Sequence, residues 1–230
     1  MSNILSTPLV WMVLTLTAYE AGFWLHKKFK EPVLIPPMLL SLIILISVLL
    51  AADVNYQQYF KGNAFIHFLL GTSTVALAVP LYQSLPRLKA AAIPLMLVLV
   101  LGSILGAGVA LALAYFFGLS HSSVLAFATR AVTTPMALGI AEKIHAPLAL
   151  ASAIVILSGL IGAMVAEPLL KFVRHDMAKG FALGLAAHGV GTARALQISP
   201  TAGAFAALGM SLNGILTALW LPIIVKWAFS

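Results

Sequence analysis

Ser122-Ser123-Val124-Leu125-Ala126-Phe127-Ala128-Thr129-Arg130-Ala131-Val132-Thr133-Thr134-Pro135-Met136-Ala137-Leu138-Gly139-Ile140-Ala141-Glu142-Lys143-Ile144 is apolar enough at both ends to lie in a membrane, yet carries Arg130, Thr133, Thr134 and Pro135 at its centre. Proline interrupts the helical hydrogen-bond ladder, so the run reads as two half-helices meeting at a polar turn. Each half has about ten residues and is ~15 Å long, which reaches the middle of a ~30 Å hydrocarbon core. A second run, 180–197, is broken in the same way by His188, Gly189, Gly191, Thr192 and Arg194. Glycines there permit non-helical backbone.

The rest of the chain supplies a membrane around these two breaks. Of 230 residues, 62% are hydrophobic and 8% charged, and mean hydropathy is +1.07. Soluble domains have roughly 25% charged residues, so a soluble catalytic or nucleic-acid-binding domain is excluded. Six runs are long and nearly free of charge: Thr7–Leu25, Val33–Ala52, Ala64–Leu85, Ala90–Leu119, Pro147–Ala166 and Ser199–Val225. The first lacks the basic start of a cleavable signal and reads as a retained helix. The net charge of +7 comes from Lys and Arg between the runs, where they act as topology signals and contacts for anionic lipid. With no cysteine, the chain has no disulfide, thiolate metal site or cysteine nucleophile.

Cytoplasmic loops carry the excess of Lys and Arg. If all eight runs cross, six basic residues (Lys27, Lys28, Lys30, Arg87, Lys89, Lys143) face five (Lys61, Lys171, Arg174, Lys179, Lys226). If both broken runs are re-entrant hairpins, Lys171, Arg174 and Lys179 join the inner set and Lys143 leaves it, giving eight against three. The second arrangement is favoured. The expected fold is an all-α membrane protein of about six spanning helices plus two opposed broken or re-entrant hairpins. Residues 1–119 would be a four-helix scaffold. Residues 120–230 would be an inverted-repeat transport region, in which 120–172 and 176–229 are copies of opposite sense. Non-helical backbone at membrane depth is tolerated only where it lines a cavity or is buried in protein, and two such tips mark a transport site.

Four motifs add a family resemblance: Asn55-Tyr56-Gln57-Gln58-Tyr59-Phe60-Lys61-Gly62, Val75-Ala76-Leu77-Ala78-Val79-Pro80-Leu81-Tyr82, Arg130-Ala131-Val132-Thr133-Thr134-Pro135-Met136-Ala137 and His188-Gly189-Val190-Gly191-Thr192-Ala193-Arg194-Ala195. Together they resemble the LrgB/CidB-like membrane proteins from Tyr19 onward. Relatives typically have Lys-Ser-Val-Thr-Thr-Pro and Ser-His-Ala-Ile/Leu-Gly-Thr-Ala, followed by an acid. Here Arg130 stands for that Lys, Ala187 for that Ser, and Leu196 and Gln197 follow the last motif. The resemblance implies two functional accounts. One is a holin-like or antiholin-like modulator of murein hydrolase export and autolysis, usually beside a small LrgA-type membrane partner. The other is a secondary carrier of small monocarboxylates (glycolate, glycerate, lactate or pyruvate) in the bacterial inner membrane. A carrier of this kind is expected to be proton-coupled or exchanging, and by analogy an elevator-like homodimer.

The residues bear on that choice. An arginine in an apolar segment costs from ~3 kcal/mol to more than 10, and a substrate carboxylate is an economical partner for Arg130 and Arg194. Thr133, Thr134 and Pro135 place hydroxyls beside a helix N-terminus, which favours an anion. Gly191 and Thr192 repeat the arrangement. His188 is the candidate for proton coupling, because an unperturbed imidazole titrates near neutral pH, and His67 and Glu20 are weaker candidates. Asn213 is expected to bond across helices, and Gly102, Gly106, Gly108, Gly159 and Gly162 to allow close packing. No H-E-x-x-H, G-x-S-x-G, phosphate loop or paired acids at helical spacing occurs, so no enzyme, cofactor or metal site is expected.

Overall fold

The computed structural model describes residues 7–29, 35–66, 68–69, 78–83 and 85–229. His67, Lys30 and much of the expected run 64–85 lie outside them. The described residues are helical, with no strand among them. The chain is an all-α membrane protein. Four helices are long and apolar enough to cross a bilayer: α1 (Pro8–Lys28), α6 (Ala92–Phe116), α9 (Leu148–Leu170) and α11 (Pro200–Phe229). A shorter apolar helix, α2 (Pro37–Ala51), has 15 residues and rises only ~22 Å. Leu97, Leu101, Leu105, Leu157, Ile161 and Ile223 are large, apolar and exposed, as lipid-facing positions are.

Residues Met1–Ala76 and Leu77–Ser230 form two compact units. In the first, α1 packs on α2 where Gly22 leaves room for Ser41, whose Oγ is tied to the Pro37 carbonyl at 2.7 Å. The short helix α3 (Tyr56–Gly62) begins at Asn55, whose side chain accepts from the Gln57 N–H at 2.8 Å. It docks on α1 through Gly62 under the Trp11 indole, and through Thr15 Oγ1, 2.8 Å from the Tyr59 hydroxyl.

The second unit holds short helices α4 (Ala78–Gln83) and α5 (Leu85–Ala90), then α6, two broken segments, α9 and α11. The first broken segment is α7 (His121–Ala128), a non-helical turn, and α8 (Thr134–Lys143). The second is α10 (Asp176–Ile198), interrupted at His188 with φ 39° and ψ −124°. Both breaks fall where the sequence places them.

Bonds at the first break set its depth. Asn213 Nδ2 donates to the Ala131 carbonyl at 2.7 Å, Arg130 Nε to the Gly106 carbonyl at 3.1 Å, and Ser158 Oγ to the Arg130 carbonyl at 2.6 Å. The turn is therefore level with the middle of α6, α9 and α11. From Gly106, α6 continues ~15 Å to Phe116, and α9 begins ~15 Å before Ser158. These two helix ends lie on one side. Helix α6 runs with α11, since Leu99 packs with Phe205 and Ser103 Oγ lies 3.0 Å from Thr217 Oγ1. Helix α9 runs against α11, with Ala166 beside Ala202 and Val155 in one cluster with Leu221 and Val225. The links 117–120 and 144–147 have four residues each and span at most ~14 Å. Helix α7 must descend from that side, and α8 must return to it.

The second break reverses the chain in the opposite sense. A Cβ placed on Gly180 or Gly184 would overlap the carbonyls of Ala202 and Ala206, so the first half of α10 runs parallel to α11 with backbone on backbone. Gly191 then lies against the Leu183 carbonyl, eight residues back, and Leu196 against Gly203. A straight helix would separate residues 183 and 191 by ~12 Å. Residues 176–198 thus form a hairpin whose ends lie at the start of α11. The two hairpins enter from opposite sides, as the charge count indicates.

Candidate functional site

The hairpin tips meet on α9. His188 is buried, and its Nε2 lies 3.1 Å from the Val155 carbonyl, while Ser158, one turn on, holds the Arg130 carbonyl. Gly159 lies under the imidazole, with no room there for a Cβ. On α11, Asn213 is buried and reaches both hairpins, bonding Ala131 O at 2.7 Å and approaching Leu185 O at 3.5 Å. Its expected cross-helix bond is present. Sequence reasoning missed Ser158; the run 147–166 carries only two hydroxyls, Ser152 and Ser158, and Ser158 is the one that bonds the first tip.

At the first tip, Arg130 is half-buried. Its Nε is engaged by the Gly106 carbonyl, while Nη1 and Nη2 bond no described protein acceptor. A Cβ on Gly106 would sit 3.9 Å from Arg130 Nη2, an ordinary contact, so the approach does not depend on the missing side chain. Thr133 is the N-cap of α8 but makes no capping bond, and Pro135 lies in the first turn. The hydroxyls of Thr133 and Thr134 bond no described group, and both residues are half-buried. A guanidinium, two hydroxyls and a helix N-terminus on one tip are groups that bind a carboxylate.

The second tip is used differently. Thr192 is buried and its Oγ1 donates to the His188 carbonyl at 2.9 Å, the back-bonding common for threonine in membrane helices. Gly191 packs against backbone. Arg194 lies six residues past the break and donates from Nη1 to Gln197 Oε1 at 2.6 Å. It lines a cavity of about 410 Å³ at the open end of this hairpin, with Lys171 and Lys179. The sequence-derived set Arg130, Thr133, Thr134, Pro135, Gly191, Thr192 and Arg194 is thus divided. The first four occupy one tip, Gly191 and Thr192 build the other, and Arg194 stands at a separate cleft. Among the described residues no group of acids and histidines could hold a metal ion.

The chain as a whole can be placed by comparison. The model of the LrgB-like family matches residues 15–227. The chain belongs to the LrgB-like family. This family member is 31% identical over 220 residues to "Uncharacterized protein YxaC" of Bacillus subtilis (strain 168), covering 95% of each chain. It is 29% identical over 219 residues to "Holin-like protein CidB" of Staphylococcus aureus (strain N315), covering 94% of this chain and 95% of that one. Against the CidB of Staphylococcus epidermidis (strain ATCC 12228 / FDA PCI 1200), identity is 27% over 216 residues, with 93% and 94% covered. No solved structure matches. This LrgB-like chain is a multi-pass bacterial membrane protein.

Proposed function

We propose that this LrgB-like protein acts on bacterial membrane permeability, in a holin-like role that modulates murein hydrolase export and autolysis. The holin-like naming of its CidB relatives supports this reading best. An LrgA-type small membrane protein is its proposed partner. The reading predicts a large, non-selective lesion. Purified protein in liposomes, alone and with such a partner, should release an entrapped dye without any carboxylate present; intact vesicles under both conditions sink it.

One observation favours a second reading, a secondary carrier of small monocarboxylates of the glycolate, glycerate, lactate or pyruvate class, with no enzymatic step. Two opposed hairpins meet level with the middle of the long helices, and on one tip the Nη groups of Arg130 and the hydroxyls of Thr133 and Thr134 bond no described group. The substrate carboxylate would bind Arg130, Thr133 and Thr134 beside Pro135, and His188 would couple a proton. Residues 120–230 would move against a scaffold of 1–119 in a homodimer. Labelled lactate or glycolate uptake into dye-tight liposomes, abolished by Arg130→Gln, tests it. Dye-tight vesicles that take up none of these acids, with a partner also tried, exclude it.

A further inference from the structure

Hydroxyls along this chain follow a habit: Thr15, Thr17, Ser41, Thr129, Ser158 and Thr192 each bond a carbonyl three or four residues back. Ser103 on α6 and Thr217 on α11 are buried and bond no described carbonyl. Their oxygens lie 3.0 Å apart, Trp220 Nε1 donates to Ser103 Oγ at 3.0 Å, and Thr217 Oγ1 lies 3.4 Å from Asn213 Oδ1. The protons can be assigned. The carbonyls of Ala131 and Leu185 only accept, so the Asn213 amide turns Nδ2 to the hairpins and Oδ1 to Thr217. Thr217 is the one described donor to that fully buried oxygen, which would otherwise go unsatisfied. Its single proton is spent there, so Ser103 supplies the proton between the two hydroxyls. The result is a one-way chain of donors from Trp220 to Ser103, Thr217, Asn213 and the Ala131 carbonyl.

This chain ends on the residue next to Arg130. Three helices hold residues 130 and 131: α6 takes Arg130 Nε on the Gly106 carbonyl, α9 holds the Arg130 carbonyl through Ser158, and α11 holds the Ala131 carbonyl through Asn213. Gly106 lies three residues after Ser103, on the same face of α6. The bond between Ser103 and Thr217 therefore fixes the spacing of the α6 and α11 anchors, and with it the plane in which Arg130 Nη1 and Nη2 lie. We propose that Ser103, Thr217 and Trp220 are positioning residues: through Asn213 they aim the Arg130 guanidinium into the space beside Thr133, where a small anion binds. The inference deepens the carrier reading, on which the anion at Arg130 rests.

The chain has no native cysteine, so T133C places a single thiol on the tip. Its rates of reaction with an anionic and a cationic methanethiosulfonate, each normalised to the rate with a free thiol, read the local field, which a packing role would not set. In the full-length protein in non-ionic detergent, we expect the anionic reagent to be favoured by about tenfold or more, and T133C/R130Q to show no preference. T217V or S103A, added to T133C, should cut that preference by about threefold or more. T217S keeps the hydroxyl and should retain it. If T133C labels without an anionic preference, or does not label, Arg130 is not aimed there and the proposal is overturned. It is overturned equally if T217V and S103A both leave the preference unchanged, or if T217S loses as much of it as T217V. Lactate, glycolate, glycerate and pyruvate should slow the labelling of T133C. If none does while the preference follows the hydroxyls, the positioning role stands and the carrier reading fails.

Discussion

At the residue scale, His188 carries the most constraint. A φ of 39° with ψ of −124° belongs to a region that side chains disfavour, at a cost of order 1–3 kcal/mol, and here it reverses the second hairpin. Replacing His188 with Ala removes the Nε2 bond and keeps the strain, whereas Gly removes both. His188→Gly should therefore be more stable than His188→Ala by about 1 kcal/mol, the reverse of their ordinary order in a helix. Denaturation of the two variants in one detergent checks this, and equal or inverted stabilities would mean the reversal lies elsewhere. Ser158→Ala leaves the Arg130 carbonyl without its side-chain donor and should cost about 1–3 kcal/mol by the same measurement. Gly184→Ala, which drives a methyl into the Ala206 carbonyl, should lower the melting temperature. Gly139→Ala, with nothing within 4 Å, should not.

At the scale of elements, the two hairpins make a prediction that a chain without native cysteine tests cleanly. Single cysteines at His121 and His145 should label from the same side. Cysteines at Asp176 and Ser199 should both label from the other. A split within either pair would turn that hairpin into a spanning kinked helix. The breaks themselves were legible because proline and glycine act on the local hydrogen-bond ladder, and Pro135 and Gly189 stand where the helices stop and resume. The role of Arg194 was not legible. Sequence shows a polar cluster from 188 to 194, but the helix resumes at once, and six residues at 1.5 Å carry the guanidinium ~9 Å from the tip. Thr192 was hidden for a related reason: only the structure shows its hydroxyl turned back to the His188 carbonyl. Glycine spacing revealed that helices approach, but not that Gly180 and Gly184 meet carbonyls of α11 while Gly108 meets nothing.

For the whole molecule, the division of the two arginines sharpens the expected selectivity. With Arg194 at the outer cleft, the meeting point of the hairpins holds one described cation, Arg130. A monoanion matches it, and a dicarboxylate would bring a second charge with no counter-ion into a low-dielectric site. Under the carrier reading, lactate should therefore enter liposomes at least tenfold faster than succinate at equal concentration and neutral pH. Equal rates would count against a single-arginine site, and dye leakage in the same vesicles would return the decision to the holin-like reading. The balance of apolar to charged residues already announced a membrane protein. No count of charges, however, distinguishes a selective path from a lesion, because that depends on how the tips close.

The backbone contact of Gly180 and Gly184 with α11 also bears on how the protein is made. A hairpin with a polar reversal cannot rest against lipid, because its freed carbonyls and N–H groups find no partners there. Its neighbour on that face is α11, which is translated afterwards. At roughly 5–20 residues per second, the 30 residues of α11 take about 2–6 s to emerge. During that interval residues 176–198 have no final resting place. Membrane insertion of this segment is then a delayed step: the ribosome must finish α11 before the hairpin can leave the shelter of the insertion machinery.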